Sequence, residues 1–129
     1  MDVGGLVDRV RGGWLVFATL GEMGVGDVVG ECGGGGWSPV LVFRDGDVTV
    51  VPVLASRDLC VRFAKRNLPR GQVFGMLVLT DEDVVRLVEG FVGRGFVFEF
   101  LDHPRRLRGR ADVEVYEFAG SPDVFGVRG

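Results

Sequence analysis

The densest group of side chains with chemical potential is His103-Pro104-Arg105-Arg106-Leu107-Arg108-Gly109-Arg110, with four arginines in one short polar stretch. A guanidinium presents a planar fork of N–H donors that meets a carboxylate or phosphate at two points. His103, Arg105, Arg106, Arg108 and Arg110 are therefore the candidate anion site, for RNA, a nucleotide or an acidic protein. The plainer reading is a solvated loop that balances nearby carboxylates. Only Phe100 and Tyr116 flank the stretch, and no aromatic residue interleaves with the arginines as base stacking would need. Nucleic acid is thus the less favoured partner.

Cys32 lies among Gly30, Gly33 and Gly34, where a thiol would be accessible, and His103 is the one histidine able to activate it. This is the only Cys/His pair open to nucleophilic chemistry, and no third group is specified to orient it. Cys60 falls on the apolar side of a helical stretch and reads as core. Gly24-Val25-Gly26-Asp27-Val28-Val29-Gly30 is one residue too long for the dinucleotide fingerprint, and no G-K-[ST] occurs. Asp81, Glu82 and Asp83 follow Thr80 and complement a helix start rather than a metal, while Asp45 and Asp47 belong to a turn. One histidine without paired cysteines leaves no metal set, and there is no G-x-S-x-G elbow. No catalytic residue, cofactor or metal is assigned, and the chain is expected not to be an enzyme.

Composition bounds the rest. The chain has 129 residues, 47% hydrophobic and 26% charged, which is enough for one core in one domain spanning 1–129. Its net charge of −3 provides no overall pull toward nucleic acid or membrane. Among the Lys and Arg residues only Lys65 is lysine; with abundant Gly and Val this matches GC-rich coding and requires no functional cause. Unpaired cysteines, no basic-then-apolar leader and no long apolar run point to a cytoplasmic protein without a membrane segment.

The elements that must position these residues follow from periodicity. Val3, Leu6, Val7 and Val10 share one helical face behind Asp2, which predicts a short helix over 2–11. Trp14–Leu20 is a continuous apolar run suited to a strand buried on both faces. Half of residues 21–36 are glycine, giving a flexible loop. Two Val-rich runs, 39–44 and 47–54, joined at Asp45-Gly46, read as a hairpin, with Pro52 implying an edge or a bulge. Ser56 caps a helix to about Asn67, 72–79 is a strand, and Thr80 caps a helix carrying Val84, Leu87, Val88 and Phe91. Residues 96–101 and 112–118 alternate as strands around an Arg-rich connection at 102–111, and 119–129 is a loosely ordered tail.

This order predicts an α+β fold: a single mixed β-sheet of five to six strands, with two main helices packed on one face and a short N-terminal helix. Two strand–helix–strand steps would make three strands parallel. A sheet covered on one face leaves the other for a partner or a second copy of the chain.

The run Val51-Pro52-Val53-Leu54-Ala55-Ser56, then Leu59 and Phe63, and the strand from Phe98 to Pro104 resemble the N-terminal domain of the SseB family over residues about 51–104. There an apolar-Pro-apolar strand leads through Ser or Thr into a helix, and a late strand ends in Asn-Pro, where this chain has Asp102-His103-Pro104. The resemblance implies an α+β module acting through protein contacts, with no active-site residue. The leading expectation is a non-enzymatic protein-interaction or accessory module. The alternatives are an anion or RNA binder centred on the arginines and a Cys32-dependent enzyme.

Overall fold

The computed structural model describes residues 2–18, 37–69, 74–77 and 80–117. The glycine-rich loop expected at 21–36, with Cys32, and the tail at 119–129 lie outside the described residues.

Each helix starts where a short polar side chain satisfies a main-chain donor left over in the first turn. Asp2 Oδ1 accepts from Gly5 N–H at 2.8 Å to open α1 (Val3–Arg11). Ser56 Oγ accepts from Leu59 N–H at 3.2 Å at the start of α2 (Arg57–Asn67), and Thr80 Oγ1 from Asp83 N–H at 3.1 Å at the start of α3 (Asp81–Gly93). The end of α3 is a left-handed stop: Gly95 has φ +80, and the N–H groups of Gly95 and Phe96 return to the carbonyls of Val92 and Phe91. Phe96 then packs on Phe91, ring centroids 5.2 Å apart, the apolar contact that accompanies this cap.

Among the described residues six strands make one sheet: β1 (Trp14–Ala18), β2 (Trp37–Asp45), β3 (Val48–Leu54), β4 (Phe74–Leu77), β5 (Val97–Leu101) and β6 (Arg110–Glu117). The α+β class is as expected. The hairpin turn lies one residue later than the sequence reading, because Asp45 pairs with Val48 and the two-residue loop is Gly46-Asp47. Gly46 takes φ +61, the positive angle that a type II′ loop needs at its first position.

The centre of the sheet is a three-way junction. β3 pairs with β2 as far as Phe43↔Val50 and then with β1 at Leu15↔Val53 and Trp14↔Leu54, while β1 reaches β2 at Phe17↔Val40. Each inner strand thus shares one edge between the other two and carries an outer strand on its second edge: β4 on β1, β6 on β2 and β5 on β3. Pro52 is not on an edge strand, because β3 lies between β2 and β5. It stands between Val50 and Val53, where β3 has left β2 and has not yet met β1, so its missing N–H costs little there. Only β3 and β5 are parallel among the described strands; β5 takes the single free edge of β3, and β4 runs antiparallel to β1. Three parallel strands do not form among the described residues.

The helices also lie differently from the expectation of two main helices on one face. α1 and α3 pack Val7, Val10, Val84, Leu87, Val88 and Phe91 on Val40, Val42, Val51, Val53 and Phe98. α2 packs Leu59, Cys60, Phe63 and Ala64 on Leu41, Phe43, Val16 and Leu54, on the opposite face. Alternate residues of β2 enter opposite clusters, so the sheet is apolar on both sides and needs a helix on each. On the face expected to be uncovered, α2 covers Val16, Leu41, Phe43 and Leu54, while Val48 and Val97 on the same face stay exposed.

Candidate binding cleft at the arginine-rich loop

The arginine-rich segment is built onto the end of α2. Asn67, the last residue of that helix, donates from Nδ2 to the carbonyls of Phe63 (2.9 Å) and Arg105 (3.0 Å), and its Oδ1 accepts from Leu107 N–H at 2.9 Å. The side-chain amide thereby holds both main-chain groups that flank Arg106, as a neighbouring strand would. Arg106 Nε donates to the carbonyl of Arg66 at 3.2 Å, and Leu107 packs against the α2-side core. At the far end Gly109 has φ +97, and a Cβ there would stand 2.4 Å from the carbonyl oxygen of Arg44. Only glycine allows this loop to lie so close to β2.

The five residues proposed from sequence are divided by this arrangement. Arg105, Arg106 and Arg108 line one cleft of about 260 Å³ with Asp45, Val50, Glu99 and Leu107. Arg105 makes an ion pair with Glu99, so part of the positive charge is balanced within the cleft. Arg110 belongs to β6, not to the connection at 102–111; it sits opposite Arg44 with its guanidinium 3.8 Å from Asp112. His103 lies outside the cleft, its Nδ1 2.8 Å from Asp102 Oδ1, and this hydrogen bond holds the Asp102 carboxyl below its ordinary range. Cys32, the proposed reactive thiol, lies outside the described residues.

The floor of the cleft continues into an apolar strip. Val50 and Val97 are register partners on β3 and β5, and Val48 lies two residues from Val50 on the same side. Val48 is 46% and Val97 51% exposed, the most exposed large hydrophobics among the described residues. Glu99 follows Val97 on that side, so the strip runs directly to the Arg105 ion pair.

Sequence reasoning missed the main polar network. Arg44 donates through Nε to Asp112 at 2.6 Å, through its two terminal nitrogens to Thr49 at 3.1 Å and to Glu114, and Arg94 donates to the second Glu114 oxygen at 3.0 Å. The hydrogen bond from Arg44 leads in holding Asp112 below the ordinary carboxylate range. Burial pushes Glu114 upward, but the hydrogen bonds from Arg44 and Arg94 outweigh it and the net direction is down. The two carboxylates raise Arg44 in turn. The visible signal was period two: Asp112 and Glu114 alternate along β6, opposite their register partners Val42 and Val40 on the strand that carries Arg44.

Cys60 is buried on α2 as expected, and burial pushes its thiol up to about 12. Among the described residues no group of three or more His, Cys, Asp or Glu side chains is placed to hold a metal ion, and no helix is long and apolar enough to cross a membrane. Comparison with known proteins gives no relative: no protein-family model, curated protein or solved structure matches the chain.

Proposed function

We propose that the chain is a non-enzymatic protein-interaction module, whose cleft at the arginine-rich loop receives an extended segment of a protein partner that combines acidic and apolar side chains. The observation that carries this reading is the continuity of the exposed Val48–Val97 strip with a cleft bordered by Arg106 and Arg108. Apolar side chains of the segment would cover the valines, and its carboxylates would meet the guanidinium forks. The loop is held by Asn67 and Gly109, so binding need not order the loop itself. The resemblance of residues about 51–104 to the SseB family's N-terminal domain points to the same class. RNA is a poorer fit, because the residues lining the cleft include no aromatic side chain on which a base could stack.

The test is a titration of the isotope-labelled protein with a short peptide alternating glutamate with valine, followed through backbone amide shifts. Saturable shifts at residues 48–50, 97–99 and 105–108 are expected. Arg106→Glu with Arg108→Glu should abolish them, and Val97→Asp should weaken them. Equal binding of a lysine-for-glutamate peptide, or tight salt-sensitive binding of single-stranded RNA at these residues, overturns the reading.

A further inference from the structure

A second cleft, of about 440 Å³, lies at the other end of the same two strands, where β3 and β5 finish beside the last turn of α1. This is the carboxyl end of the parallel pair, and the volume is in the range of small-molecule pockets. Its apolar wall is Val53 and Phe100. The Arg9 guanidinium lies over the Phe100 ring, with Cζ 3.8 Å from the ring centroid. Asp8 and Asp102 line the same cleft from α1 and from the end of β5. Gly13 closes the base: a Cβ there would stand 2.4 Å from Val53 Cγ1, so α1 meets β3 without an intervening side chain.

From this lining we infer that the cleft at the carboxyl ends of β3 and β5 binds a small zwitterion of the free amino acid class. The ligand's carboxylate meets Arg9, its ammonium meets Asp102 and Asp8, and its apolar side chain lies beside Phe100, outside the ring face that Arg9 covers. A purely anionic ligand would face two carboxylates, and a purely cationic one would face Arg9. A zwitterion matches charges of both signs and also uses the apolar wall. This inference does not rest on the peptide reading, because the two clefts lie at opposite ends of the β3–β5 pair.

The experiment is an amide-shift titration with three probes: L-phenylalanine, N-acetyl-L-phenylalanine, which lacks the ammonium, and L-phenylalaninamide, which lacks the carboxylate. Phenylalanine is expected to move the amides of Gly12, Gly13, Ala55 and Asp102 saturably. Each derivative should bind at least about tenfold more weakly, the scale of one charge-assisted contact. Arg9→Gln should erase the preference for the acid over the amide, and Asp102→Asn the preference for the free over the acetylated amine. Arg9→Lys, which keeps the charge, should retain the first preference and so separates recognition from loss of packing on Phe100. Three results overturn the inference: no saturable shift with phenylalanine, leucine or glutamate at about 10 mM, equal binding of the three probes, or shifts confined to residues 48–50, 97–99 and 105–108.

Discussion

Asn67 and Leu107 are joined by a 2.9 Å hydrogen bond from the Leu107 main chain to the Asn67 side chain, which ties the loop after β5 to the end of α2. Leu cannot replace this contact, nor the one to the Arg105 carbonyl. Asn67→Leu is expected to cost about 1–2 kcal/mol, the usual scale for partly buried hydrogen bonds. Hydrogen exchange should show the Leu107 amide losing its protection, with little change in the amides of β2. Unchanged exchange at Leu107 would show that other contacts hold the loop.

Gly109→Ala combines a left-handed backbone with a Cβ 2.4 Å from the Arg44 carbonyl oxygen. The main chain of β2 cannot yield cheaply, since Arg44 is paired with β3 and β6. A loss of about 2 kcal/mol or more is expected in urea denaturation. Gly46→Ala, with φ +61 but no atom within 4 Å of its Cβ, should cost less. An equal loss at the two positions would refute the close approach at Gly109.

Arg44→Met removes the centre of the ion network and leaves Glu114, 13% exposed, with Arg94 alone. The expected loss near neutral pH is about 2 kcal/mol, as for a partly buried charge deprived of its partner. Asp112 and Glu114 are held below the ordinary carboxylate range, so the folded state takes up protons less readily than the unfolded one. Their contribution is complete above that range and fades as the pH falls through it. Urea midpoints of the wild type and Arg44→Met should therefore converge below about pH 4. A gap that persists in acid would indicate packing rather than charge.

Cys60 is buried, and burial raises its thiol to about 12, so the reactive thiolate is scarce and shielded. Alkylation of Cys60 at about pH 8 should proceed only as fast as the protein opens, and should accelerate sharply in urea. Rapid modification of the native protein would contradict the packing of α2.

The helices were legible in the sequence because their signals are local. Asp2, Ser56 and Thr80 are caps, and Leu59, Cys60, Phe63 and Ala64 recur at helical spacing. The distribution of helices over both faces was encoded too, in runs such as Val40-Leu41-Val42-Phe43 whose alternate members are all buried. Reading such a run as doubly covered requires knowing which helix returns to which side, and that is decided by long-range packing. The junction at Pro52 was out of reach for the same reason, since the partners of β3 on β1 and β5 are distant in sequence. Of the candidate anion site, Arg105, Arg106 and Arg108 line one cleft. Arg110 was misplaced because the alternation of β6 begins two residues earlier than the apolar pattern shows.

Edge sharing among β1, β2 and β3 also restricts how the sheet can rearrange. If any one of these strands slid by two residues it would break pairings with both others at once, in addition to those with its outer companion, whereas β4, β5 or β6 would give up a single neighbour. Inserted residues should accordingly be tolerated at the tips of the peripheral strands and rejected around Val50–Val53, where the geometry locks three ladders together.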